Sequence, residues 1–160
     1  MSNPKTTSLR EFTPEQLKDI LNAHHIWAST NPPQGQSADL SEANLAGVSL
    51  PKVDLRRANL SRTTLRGAHL PNALFIGANL KESDLSQADL IHAQFQEATL
   101  VQTNLSDARL EAANFQKANL TDANLQAAHL SQQTNLKEAT LLRTVLKDTD
   151  LQDADLLIRA

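Results

Sequence analysis

Cysteine is absent from the 160-residue chain, so no disulfide, thiolate metal site or cysteine nucleophile can form. Tyrosine is absent too, and only four Phe and one Trp supply aromatic rings. Apolar character therefore rests on Leu and Ala, which suits a narrow core. No apolar run reaches membrane-spanning length, and the first residues, "MSNPKTTSLREF", lack the apolar stretch of a secretory signal. A soluble cytoplasmic protein with no membrane partner is the resulting expectation. The net charge of −3 is mild and calls for no strong electrostatic partner. The chain has no G-x-S-x-G, no Walker-type loop and no G-x-G-x-x-G.

What it does have is a period of five. In "ANFQKANLTDANL" (113–125), Phe115, Leu120 and Leu125 each follow an Ala by two residues. A helix scatters every fifth residue around its axis, and a strand sends odd steps to opposite faces. The pattern requires a chain that bends once per five residues. The series runs from Leu40 through Leu60, Phe75, Phe95 and Phe115 to Leu130, and resumes after one extra residue in "SQQTN" (131–135) at Leu136. Repetition on this scale decides the fold before any single residue does.

Residues two apart in an extended segment face the same way, so the small residue and the large centre both point inward. The residue between them points out, and the remaining two, mostly polar or Gly, must make the bend. Phe75, Phe95 and Phe115 are spaced by 20, as are Pro51 and Pro71, and Gly47 and Gly67. Twenty residues are four units, which predicts a square coil with like residues stacked between turns. In that register several outward columns alternate in charge: Glu42, Arg62, Glu82; Glu97, Lys117, Glu138; and His69, Asp89, Arg109, His129, Asp150. Opposite charges in adjacent turns attract across the strand spacing. Charges that simply coat a solvated face are the competing reading of any one column.

The units "ADLSE", "ANLSR", "ANLKE", "ADLIH" and "ANLTD" resemble the A-(D/N)-L-x-x motif of the pentapeptide-repeat family, over residues 38–158. The resemblance implies an all-β solenoid, a right-handed quadrilateral parallel β-helix of about six coils with four pentapeptides per coil. The structural core centres are then Leu40, Leu60, Phe75, Phe95, Phe115 and Leu136. The extra residue departs from the family pattern, and a bulged corner at 131–135 would keep Leu136 under Phe115.

Residues 13–30 read as a helix. Thr13 can cap, Pro14 suits the first helical position and Gln16 completes a capping box. Leu17, Ile20, Leu21, His24, Trp27 and Ala28 follow helical spacing, and "TNPPQGQS" (30–37) ends the run. The open edge of the first coil needs cover, so the helix is expected to fold over Ala38. A helix free in solution for a partner is the alternative. The division expected is a flexible N-terminus at 1–12, the capping helix at 13–30, a linker at 31–37 and the repeats at 38–160. At the other end, Leu157 and Ile158 occupy positions that should face out or turn. They serve either as a terminal plug or as a contact in a C-terminal homodimer.

Chemistry is sparse. His24 and His25 diverge by about 100° on a helix, and His69 and His129 lie about 14 Å apart by strand spacing. No metal site or cofactor is expected. The carboxylates recur as outward residues before a centre, as in Asp39, Asp54, Asp84, Asp89 and Asp155, without converging on a pocket. Lys52, Arg56, Arg57, Arg62 and Arg66 gather in the early coils around the single acid Asp54. They fall on several faces, so they make a partial ring rather than the stripe expected of a direct nucleic-acid binder. The expectation is a non-enzymatic protein-binding or scaffold protein with an unknown protein partner and possible contacts at Ile76, Ile91 and Val101. The alternative implied by the resemblance is a DNA mimic acting on a type II topoisomerase such as gyrase.

Overall fold

A computed structural model describes residues 8–31, 33–131 and 133–149. Within the repeats the outward residue before each centre forms a parallel bridge with the residue one circuit on. Asp39 pairs with Asn59, Asn44 with Thr64, Ser49 with His69 and Asp54 with Leu74, so four sides close before the register returns. Each bridge uses the parallel pattern: the Leu40 N–H donates to the Asn59 carbonyl at 2.8 Å, and the Asn59 N–H to the Ala38 carbonyl at 3.0 Å. The chain is thus a four-sided parallel solenoid, preceded by one helix.

Every described side but the one ending at Leu130 closes in the same turn. The N–H of the next small residue donates back three positions, as Ala43 does to Leu40 at 3.3 Å and Ala118 to Phe115 at 2.9 Å. Among the described residues, the second residue after a centre is left-handed, with φ from 54° at Ala127 to 61° at Gln87 among the non-glycines. A positive φ at that place is what a type II turn requires. Gly47, Gly67 and Gly77, which bear no Cβ penalty, all fall there.

The interior is a set of stacked columns. The predicted centres Leu40, Leu60, Phe75, Phe95, Phe115 and Leu136 are all fully buried. Phe75, Phe95 and Phe115 stack with centroids 4.9 and 4.8 Å apart and planes within 4°. This is the strand spacing, so each ring takes its separation from the backbone. Where the small inward residue is Thr, its buried hydroxyl donates to a corner carbonyl of the preceding coil. Thr63 reaches Leu40 at 2.5 Å, Thr103 reaches Leu80 at 2.8 Å and Thr134 reaches Leu110 at 3.0 Å. A hydroxyl in an apolar core needs such a partner.

The extra residue is absorbed at one corner. Arg109 and His129 pair 20 apart, whereas Asn114 and Asn135 pair 21 apart. Between them Ser131 and Thr134 clasp each other: the Thr134 N–H donates to the Ser131 carbonyl at 2.8 Å, and the Ser131 N–H to Thr134 Oγ1 at 3.0 Å. Ser131 Oγ also accepts from the Ala112 N–H above it, at 3.0 Å. Leu136 then takes its place in the Phe column, because the Phe115 N–H donates to the Asn135 carbonyl at 2.7 Å.

Helix α1 spans Pro14–Ser29. Its N-terminus carries the reciprocal box: Thr13 Oγ1 accepts from the Gln16 N–H at 3.2 Å, and Gln16 Oε1 accepts from the Thr13 N–H at 2.9 Å. Leu17 and His24 are buried, while Ile20 and Leu21 pack partly against the core. Ala38 has no corner before it, so its N–H donates instead to His24 Nδ1 at 3.0 Å. The linker returns along the helix through Gly35, at φ 79°; a Cβ there would stand 2.6 Å from the Ala23 carbonyl oxygen. The segment before the helix differs from expectation. Arg10, placed by sequence in a flexible N-terminus, bridges Ala43, donating to the Glu42 carbonyl at 2.6 Å and accepting from the Asn44 N–H at 2.8 Å. An unpaired edge on the first coil supplies the reason, since an extended residue satisfies it.

Candidate functional site: outer faces and corners

Two faces carry ladders of side-chain amides. On one, Asn79 Nδ2 donates to Asn59 Oδ1 at 3.2 Å and Asn59 Nδ2 to Asp39 Oδ1 at 3.1 Å. On the next, Asn124 donates to Asn104 at 3.2 Å and Asn104 to Asp84 at 3.1 Å. The same oxygens accept the N–H two residues on, as Asn59 Oδ1 does from Ser61 at 3.3 Å and Asn104 Oδ1 from Ser106 at 3.2 Å. The preference for Asn or Asp before each centre follows: one side chain ties its own corner and the adjacent coil. Much of the polar character of these faces is therefore spent on the fold.

Two of the predicted charge columns form pairs, and a further pair, Arg143 with Asp122, falls outside them. Arg62 bridges Glu42, and Arg143 grips Asp122 through two bonds of 2.5 and 2.7 Å. That hydrogen bonding, with the adjacent positive charge, holds the Asp122 carboxyl below its usual range. On a third face Asp89 stands between His69 Nδ1 at 2.9 Å and Arg109 at 3.6 Å. Pairs this exposed contribute little individually, because solvent screens them. Their consequence is that Glu42, Asp89 and Asp122 are each met by a cation from an adjacent coil.

Of the basic residues of the early coils, Arg56 and Arg62 are paired with acids. Arg56 holds Asp54 by two hydrogen bonds of 2.9 and 2.7 Å, and this pairing depresses the Asp54 carboxyl. Ile76, Ile91 and Val101, named as a partner surface, are only half-exposed. Their spacings of 15 and 10 residues put them at three different corners, so they form no patch. Leu157 and Ile158 lie outside the described residues. Sequence reasoning missed Leu142 and Val145, which expose 55% and 45% of their surface in the last described coil. The signal was present, since both break the polar pattern at turn and outward positions. Among the described residues no group of three His, Asp or Glu could hold a metal ion, and no helix is long and apolar enough to cross a membrane.

A four-sided solenoid with a five-residue unit, stacked centres and satisfied outer ladders defines a repeat protein. Two family profiles match it: one described as a pentapeptide repeat region over residues 68–134, and one as pentapeptide repeats, in eight copies, over 38–75 and 132–156. The chain belongs to the pentapeptide-repeat family. It is similar in structure to a pentapeptide repeat protein of the Arabidopsis thaliana thylakoid lumen, at 33% identity and TM-score 0.57, over 58% of this chain and 65% of that one. This chain thus spans under two thirds of that protein's length. It is also similar to the pentapeptide repeat protein Rfr23 of the cyanobacterium Cyanothece 51142, at 26% identity and TM-score 0.51, over 75% and 89% of the respective chains. No match was found among curated proteins.

Proposed function

We propose that this chain is a non-enzymatic protein-binding or scaffold module. It is a right-handed square rod of about six coils that presents rigid outer faces to a protein partner in the cytoplasm. The observation that carries the reading is the outer ladder system. Asn and Asp side chains that could serve a reaction are instead bonded along the rod axis, coil to coil. Such a surface is preorganised for contact at low entropic cost. The test is reconstitution: a partner recovered by crosslinking in cells should form a stoichiometric complex with the purified chain. Absence of any complex, together with turnover of a small substrate by the pure protein, would overturn the proposal.

The DNA-mimic alternative needs one long negative face. Here Glu42 meets Arg62, Asp89 meets Arg109 and Asp122 meets Arg143. The purified chain should therefore leave DNA supercoiling by gyrase unchanged even in large molar excess. Inhibition or protection in that assay would revive the mimic.

A further inference from the structure

The C-terminal half of α1 and the last corner of the first coil enclose a cavity of about 420 Å³, lined by Trp27, Thr30, Pro33, Arg56, Arg57 and Ile76 among others. This volume lies within the range of small ligand sites, about 300–1,000 Å³. Its walls differ in character. Trp27, the one Trp of the chain, stacks on the buried His24 ring at 5.5 Å, which fixes the indole in place. Arg56 is occupied by Asp54. Arg57 is exposed, has no acidic partner among the described residues, and runs its stem past Gly77 one coil on, where an added Cβ would lie 3.4 Å from its Cγ. The cavity thus joins an oriented apolar wall to one uncommitted guanidinium.

Resting on the protein-binding reading above, the geometry points to this cavity as the docking site for a partner segment that carries a carboxylate beside an aliphatic side chain. Charge complementarity selects the occupant. Of the cations between residues 51 and 67, Arg56 is held by Asp54 and Arg62 by Glu42, which among the described residues leaves Arg57 as the unpaired positive charge at the cavity, so an acidic group is drawn to it. The planar fork of Arg57 suits bidentate capture of a carboxylate. Trp27 and Ile76 accept the neighbouring aliphatic group.

Trp27 is its own reporter, because no other Trp and no Tyr contributes emission. Full-length protein is titrated with the peptide acetyl-Glu-Leu-Glu-Leu amide, with its Gln-for-Glu twin, and with free glutamate. The acidic peptide should change Trp27 emission saturably, and the other two should not. Arg57→Gln should weaken the peptide about ten-fold, the scale of a lost charge-assisted hydrogen bond. Arg57→Gly, which fits the left-handed backbone there, repeats the test without risk to folding. Arg62→Gln, whose side chain is paired with Glu42, should bind as the parent does. No saturable change, equal binding of the neutral twin, or equal affinity of the Arg57 variants would overturn the proposal. If a purified partner still binds both Arg57 variants fully, the cavity proposal alone falls and the scaffold reading stands.

Discussion

Leu105 is fully buried among the stacked centres, while Gln102, three residues earlier, is exposed at a corner. Leu105→Asp would place a carboxylate between coils with no cation to meet it, a penalty of several kcal/mol against a total stability of roughly 5–15 kcal/mol. The variant should lose most of its thermal transition, whereas Gln102→Asp should melt within a few degrees of the parent. Equal melting temperatures would contradict the inward assignment. The corners give a second test. Ala127 holds φ at 54°, where a Cβ costs roughly 1 kcal/mol or more and Gly costs nothing sterically. Ala127→Gly should therefore raise stability by up to about 1 kcal/mol in a urea titration, although Gly normally weakens ordered structure. A loss of stability would show that the left-handed corner is not maintained in solution. That one corner residue must be left-handed is foreshadowed by Gly47, Gly67 and Gly77, which all fall two residues after a centre. The partner of Thr63 is not foreshadowed, because the Leu40 carbonyl lies 23 residues away and one coil back.

At the scale of elements, the cap depends on an uncharged histidine. His24 Nδ1 must stay unprotonated to accept from the Ala38 N–H. Burial, the largest influence, lowers its pKa below the usual 6.5; Asp54 opposes this, while Arg56 and His25 reinforce it. The folded chain therefore binds this proton less readily than the unfolded chain does. The contribution of His24 to stability is fully present above 6.5 and is lost as pH falls from there toward the lowered folded value. Urea midpoints measured from about pH 8 down to about pH 5 should fall more steeply for the parent than for His24→Gln. Parallel curves would refute the role given to the imidazole. The helix itself was legible in Thr13, Pro14 and Gln16, whose spacing is a local signal. The Arg10 bridge was not, because it depends on an edge created 33 residues later at Ala43.

Across the whole molecule, the legible part was the part that repeats. A five-residue period with a 20-residue recurrence of Phe carries the number of sides, the inward set and the stacking columns, since each recurs many times and local noise cancels. The surface was less legible. Its apolar residues occur singly, and the period itself distributes Ile76, Ile91 and Val101 to separate corners. The cavity beside Trp27 exists only because the helix is laid on the first coil, and no local pattern announces which side chains that brings together. The most direct test of the square coil is a proton NOE spectrum of the Phe rings in the intact protein. Strong contacts are expected between Phe75 and Phe95 and between Phe95 and Phe115, with all three rings shielded from a soluble paramagnetic agent. Rings without mutual contacts, or broadened by that agent, would contradict the fold and the functional reading built on it.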